Sequence, residues 1–157
     1  MLSCEEQSWM TVEADMNRQH FEFEKSIRLN VTNETLDAHR VLVKWAVRKT
    51  DATILREEEQ WLEVPALSAV WMDKVELPQI DCFNEYVSYE AWENDQIISQ
   101  GTVIFSYPKY FHYLNPGLAV RVDGDEIVVK AEAYAKSVEI RNENDDLIPV
   151  SYTHLRA

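Results

Sequence analysis

The chain has 157 residues, 46% of them apolar, with five Trp, seven Tyr and five Phe, enough to bury a core and to exclude a disordered segment. Only three Gly are present, which excludes collagen-like or Gly-rich linker material. Fifteen Lys/Arg against 28 Asp/Glu give a net charge of −13, and a surface this acidic repels phosphate backbones, so nucleic acid is excluded as a partner.

The acidity is uneven: residues 1–108 hold 9 Lys/Arg against 20 Asp/Glu, and residues 109–157 hold 6 against 8. No apolar run approaches a membrane span, so no membrane partner is expected. Met1 is not followed by a signal-peptide pattern. Cys4 and Cys82 are too few for a disulfide framework and read as free thiols. Both observations favour a cytoplasmic location.

Met1-Leu-Ser-Cys-Glu-Glu6 opens the chain with no helix of its own and reads as a cut end, residues 1–10 leading out of something that precedes them. A weak strand is predicted near Thr11–Asp15. Ile27, Leu29 and Val31 then alternate with Arg28, Asn30 and Thr32. Val41, Val43, Trp45 and Val47 alternate with Leu42, Lys44, Ala46 and Arg48. Period two of this kind predicts strands with one face buried and one wet. Further strands are predicted at 53–64, 67–77, 85–93 and 97–107, separated by Asn33–Asp37, Thr50-Asp51, Pro65-Ala66, Pro78–Asn84 and Glu93–Asp95. Glu57-Glu58-Glu59 is compatible with helix, but Thr53-Ile54 before it and Trp61–Val64 with Pro65 after it make an extended edge strand. About seven short strands with regular turn signals predict an immunoglobulin-like antiparallel β-sandwich over 11–108. Trp45 is expected between its sheets, with no Cys pair joining them.

Tyr107–Gly117 is rich in Pro and aromatic residues, and 109–116 reads as a connector. Strands are predicted at Leu118–Val122, Ile127–Glu132 and Ser137–Arg141, the first two joined by Asp123-Gly124-Asp125, a hairpin signal. Three strands do not close a sandwich, so 117–150 reads as the opening of a second one. Ser151–Ala157 breaks the pattern, resembles a translated sequencing adaptor and is expected to be a non-native tail. The expected fold class is therefore all-β: an immunoglobulin-like antiparallel sandwich followed by the first strands of a second, incomplete β-sandwich.

The chemistry-bearing residues do not assemble. His20, His39, His112 and His154 lie in separate turns or ends without metal-ligand spacing. Glu57–Glu59, Asp123/Asp125/Glu126 and Asp145-Asp146 are the tight acidic groups. Glycoside hydrolysis needs two carboxylates facing across a cleft, whereas neighbours on a strand point to opposite faces. No nucleophile elbow, zinc helix or phosphate loop is present. No catalytic, cofactor-binding or metal-binding residue is predicted, and no cofactor. Asn30-Val-Thr32 and Asn33-Glu-Thr35 match the glycosylation sequon, but their place at a strand end reads as ordinary turn composition. Trp61, Trp71, Tyr89 and Trp92 are read as sandwich core and a domain contact rather than a sugar-stacking platform.

Several stretches, taken in order, resemble the accessory domains that follow the catalytic barrel in family 2 glycoside hydrolases, specifically the β-mannosidases. Met1–Glu6 is similar to the segment leaving the barrel. Leu62-Glu-Val-Pro-Ala-Leu-Ser68 is similar to a step between strands of the mannosidase immunoglobulin-like domain. Ile98–Lys109 is similar to that domain's last strand and exit, and Pro116–Val129 with Ala135–Val138 to the opening of the next sandwich. The resemblance covers residues 1–149. It implies a parent that hydrolyses terminal non-reducing β-D-mannose residues with retention, using two glutamates on the barrel. No residue here inherits those roles, and the chain is expected to be a non-catalytic accessory portion. Its implied partner is the missing barrel of the same parent, and it meets mannoside only through that parent. Two alternatives stay open: a free-standing carbohydrate-binding or adhesion sandwich, and an accessory domain of a related exo-glucosaminidase or galactosidase.

Overall fold

The computed structural model describes residues 2–6, 10–15, 18–124 and 126–140, with side chains described from Phe23 onward. Thirteen strands and one 3-10 turn make up these residues: β1 (Leu2–Glu6), β2 (Met10–Asp15), β3 (Arg18–Phe23), β4 (Ser26–Ile27), β5 (Leu29–Asn33), β6 (His39–Lys49), β7 (Ile54–Val64), β8 (Ser68–Trp71), β9 (Val75–Glu76), β10 (Glu85–Glu93), β11 (Gln96–Ile104), the turn Pro108–Tyr110, β12 (Ala119–Asp123) and β13 (Glu126–Lys130). Every strand pairing is antiparallel.

Two sheets form the sandwich. One has the order β11-β10-β6-β7; the other is β1-β5-β8, with β4-β9 as a separate two-stranded ribbon. The core between them joins Val41, Val43, Trp45 and Val47 of β6 to Ile27, Leu29 and Val31. Trp45 is 2% exposed and lies where the alternation places it. The inward parity of β6 meets Val87, Tyr89 and Ala91 of β10, and Tyr89 sits opposite Gly101 of β11. A Cβ at Gly101 would come within 2.3 Å of the Tyr89 hydroxyl oxygen, so the absent side chain makes room for that ring.

β7 is the edge strand that the flanking residues predict. Leu62 and Val64 are buried at its end, while Arg56, Glu58 and Gln60, on the same parity, lie beyond the reach of the opposite sheet and are exposed. The Arg56 guanidinium covers the Trp45 ring at 5.0 Å and bonds Glu58 Oε1. Acidic side chains on a long edge discourage pairing with another chain.

Several expected boundaries differ. Met10–Asp15 is a strand, but its partner is Arg18–Phe23, a strand the sequence reading missed. The strand that joins β5 is Leu2–Glu6, inside the segment read as an exit. Leu29, Asn30, Val31 and Asn33 are buried, so the β5 backbone needs partners on both edges, and β8 supplies only one. The strand expected over 67–77 splits at Met72–Lys74: Met72 donates its N–H to the Leu29 carbonyl and accepts from Arg28 Nε, so the chain steps from β5 to β4 as a partner. The strand expected at Ser137–Arg141 does not form over 137–140. Ser137 has φ +58, left-handed backbone that breaks extension; Arg141 and the tail Ser151–Ala157 lie outside the described residues.

The wet face expected at Asn30 is also corrected, since Asn30 and Asn33 are 2% and 1% exposed. The Asn33 amide group aims at the carbonyls of Asp37, Val64 and Pro65, and its oxygen accepts from the Thr35 N–H and hydroxyl. It thus ties the β5–β6 turn to the end of β7. Neither sequon presents its asparagine to a glycan in the folded chain. Asn33→Ala leaves the buried Val64 carbonyl without this partner and frees two part-buried ones, and a loss of about 1–3 kcal/mol of stability is expected in urea denaturation; an unchanged midpoint would show that the turn closes without it.

After β11 the chain folds back over the outer face of the β11-β10-β6-β7 sheet. His112 donates its backbone N–H to the Phe83 carbonyl, and Tyr134 donates to the Thr50 carbonyl. Phe111 and Tyr134 are buried against Tyr86. The β12–β13 hairpin turns at Gly124, φ +61. One of its faces, with Val120, Val122 and Ile127, is exposed and apolar.

Candidate functional site

The outer face of the four-stranded sheet holds three features in register. At one end Trp61, Leu42 and Trp92 occupy adjacent positions on β7, β6 and β10. Two rings therefore do share a wet face, contrary to the sequence reading. Their faces are occupied, however: Arg40 lies 4.5 Å over Trp61 and Lys44 5.4 Å over Trp92. Trp71 belongs to the other sheet, under Arg28 at 5.0 Å, and Tyr89 is in the core. The four aromatics do not form one platform.

The middle of the face is an open groove of about 570 Å³, lined by Lys44, Arg48, Glu57, Glu59, Ser88 and Glu90 among others. Glu57 and Glu59 share a parity that Glu58 does not. Glu59 pairs with Lys44 at 3.6 Å and Glu58 with Arg56. All three are solvated carboxylates, two of them held by neighbouring cations, with no reacting geometry between them. Asp123 closes the β12–β13 turn and pairs with Arg121 at 3.3 Å; Asp125, Asp145, Asp146 and His154 lie outside the described residues.

The other end is partly covered. Residues 131–137 arch over Arg48, Tyr86, Ser88, Glu90, Gln100 and Thr102, leaving a cavity of about 420 Å³. Tyr134 pins the arch. Its ring stacks on Tyr86 at 4.0 Å and 18°, meets Phe111 edge-on at 5.6 Å, and its hydroxyl bonds Thr102 Oγ1 at 2.8 Å. Burial raises the Tyr86 phenol above its ordinary pKa, so it stands in the wall as a neutral group. Below the arch, Asp81 accepts from Asn84 Nδ2 and the Phe83 N–H, which hold its carboxyl below the usual range and shape the turn on which His112 rests.

One histidine forms a chain of the order carboxylate, imidazole, hydroxyl: Glu93 Oε1 is 2.6 Å from His39 Nδ1, and His39 Nε2 is 2.8 Å from Thr35 Oγ1. Thr35 Oγ1 is also bonded to Asn33 Oδ1 and the Asp37 carbonyl. A hydroxyl with one proton and this many partners is a turn lock, and neither the cavity nor the groove is lined by these residues. His112 bonds Asn84 Oδ1 at 2.9 Å, far along the chain from His39. Among the described residues no group of three His, Cys, Asp or Glu side chains converges as a metal site.

The family model for the Mannosidase Ig/CBM-like domain matches residues 25–110, from the strand before β5 through the end of the sandwich. The chain belongs to that family. The mannosidase Ig-like domain here is of the type found in family 2 glycosidases, as the sequence resemblance implied. No curated protein matches the sequence. Among solved structures, a β-D-mannosidase from Dictyoglomus thermophilum is similar at 16% identity with a TM-score of 0.67, over 86% of this chain and 17% of that one. A Bacteroides uniformis β-glucuronidase matches at 14% identity and TM-score 0.43, over 78% and 14%. A β-galactosidase from Bacteroides fragilis, its assignment provisional, matches at 9% and 0.44, over 82% and 18%. The chain thus spans about a sixth of the length of the structures it matches.

The cavity residues were not singled out from the sequence. Arg48 and Ser88 were visible only as outward positions of alternating strands. Tyr134 was the better signal, a lone aromatic among the alanines and charged residues of Lys130–Lys136.

Proposed function

We propose that this chain is a non-catalytic accessory portion of a β-mannosidase whose barrel lies elsewhere in the parent and hydrolyses terminal non-reducing β-D-mannose residues with retention. One observation supports it most: the Mannosidase Ig/CBM-like match over residues 25–110. The fold likeness to a β-D-mannosidase is in keeping with it, whereas the glucuronidase and galactosidase likenesses have TM-scores too low to weigh. In this reading the sandwich runs through β11, 109–116 connects, and β12–β13 opens a second sandwich whose remaining strands cover Val120, Val122 and Ile127.

The test has two arms. The 157-residue chain is expected to release no 4-nitrophenol from its β-D-mannoside. The parent polypeptide is expected to cleave that mannoside with a kcat/KM roughly a hundredfold or more above the β-galactoside and β-glucuronide, because sugar hydroxyl orientation is read by buried hydrogen bonds. Turnover by the chain alone, or a parent that prefers another sugar, refutes the reading.

A further inference from the structure

β1 fixes where the chain enters the sandwich. Its Leu2 lies opposite Asn33 of β5. Whatever precedes β1 therefore adjoins the end formed by the β5–β6 turn at residues 34–38, the β7–β8 turn at residues 65–67, and the β10–β11 turn at Asn94-Asp95. The fold-back around Phe111 and Tyr134 is anchored at the opposite end, on Thr50, Phe83 and Tyr86.

Two leucines stand at the tips of the first two turns, Leu36 at 81% exposure and Leu67 at 66%. The tips are tied together, since Leu67 donates its backbone N–H to the Thr35 carbonyl at 3.0 Å. Both turns are braced. Thr35 Oγ1 is bonded to Asn33, the Asp37 carbonyl and His39, and Ser68 Oγ donates to the Pro65 carbonyl at 2.7 Å. Leu67 has φ +49, left-handed backbone that is uncommon for a residue of this size. A hydrogen-bonded frame thus holds two large apolar residues in solvent, and a patch fixed in advance loses little freedom on docking. The residues around it are acidic: Glu34 and Asp37 in the first turn, Glu63 near the end of β7 and Asp95 in the third turn, all exposed. The cation that the strand registers place among them is Arg40, opposite Glu63.

We propose that this end of the sandwich docks on the catalytic barrel of the parent, with Leu36 and Leu67 on an apolar patch of the barrel whose rim carries Lys and Arg opposite Glu34, Asp37, Glu63 and Asp95. The identity of the partner rests on the accessory-portion reading above, in which the barrel precedes β1. This chain covers 17% of the β-mannosidase it is similar to, so a body much larger than the sandwich is available on that side. A partner tethered at β1 meets this end at high effective concentration, and a small patch is then enough to hold it. Unlike charges around the patch set the orientation.

The experiment is thiol labelling of the parent polypeptide carrying Leu36→Cys or Leu67→Cys, with maleimide modification of each site read by peptide mass spectrometry. Both positions are exposed in the sandwich and outside its core, so the substitutions leave it folded. Each site is expected to react at least roughly tenfold more slowly in the folded parent than in the same chain unfolded in urea. Leu55→Cys, exposed at the far end of β7, is expected to react at close to the unfolded rate. Carbodiimide coupling of the parent is expected to join Glu34 or Asp37 to lysines of the barrel. Labelling of both turn positions at the Leu55→Cys rate, or coupling of Glu34 and Asp37 only to segments outside the barrel, overturns the proposal. The parent's choice of sugar enters neither readout, so a parent that prefers another sugar refutes the mannosidase reading and leaves the docking standing.

Discussion

Replacing Tyr134 by alanine is expected to release residues 131–137 from the sheet while leaving the sandwich folded. Tyr134 is 4% exposed, and it is where three aromatic contacts meet: Tyr86 at 4.0 Å, Phe111 at 5.6 Å and Tyr113 at 6.0 Å. Truncating a buried aromatic costs about 3–5 kcal/mol. No other side chain of the segment has comparable purchase on the sheet; Ala133 is buried but small, and Lys136 and Ser137 are exposed. The cost therefore falls on local docking rather than on the global fold, whose core is a separate cluster.

Hydrogen exchange separates the two. The Tyr134 amide, bonded to the Thr50 carbonyl at 2.9 Å, is expected to lose roughly two to four decades of protection in Tyr134→Ala, the exchange equivalent of that energy. Amides in the middle of β6 are expected to keep theirs. Tyr134→Phe removes the bond to Thr102 and keeps the ring, and is expected to cost about 1 kcal/mol. Unchanged protection at residue 134 in the alanine variant would mean that the backbone, and not the ring, holds the arch. The variant also bears on the cavity, which has no roof without this segment.

What the sequence revealed and what it hid follow from the range of the interactions. β6 and β10 were legible because each is long and alternates against a single core, and Trp45 could be placed between the sheets for the same reason; β7 was legible from the residues that flank it. Leu2–Glu6 was not, because Leu-Ser-Cys-Glu-Glu has no alternation of its own and is a strand only through the unpaired edge of β5. Asn30 was read as wet because period two assigns polarity by side-chain type, and Asn33 was read as ordinary turn composition. The turn lock that buries Asn33 draws acceptors from the far end of β7, which no local window contains. Ser137 followed an alternating run into a backbone angle that alternation does not report. The candidate cavity was least legible of all: its lining comes from β6, β10 and β11 and from a segment beyond the connector, which only the fold-back around Phe111 and Tyr134 lays over the sheet.

Trp45→Ala is expected to remove about 3–5 kcal/mol of stability, the usual cost of deleting a large buried ring. For a domain of ordinary stability this is a third or more of the total, so the variant should unfold at much lower urea. The site cannot collapse to recover the loss: Trp45 lies between β7 and β10, with Val43 and Val47 two residues away on the same face of β6, all buried or edge-bound. Its open side is covered by one group, Arg56, at 5.0 Å over the ring. That cover contributes little by itself. Arg56 is half exposed and paired with an equally exposed Glu58, so Arg56→Ala is expected to cost at most about 1 kcal/mol. The double variant distinguishes shielding from pairing. If Arg56 acts through the Trp45 ring, removing it in the Trp45→Ala background costs less than in the native one, and the difference is the interaction energy. If the two losses simply add, the guanidinium stabilises the edge strand through Glu58 alone. A Trp45→Ala chain within about 1 kcal/mol of the native one would place the ring outside the core, against its burial between the sheets.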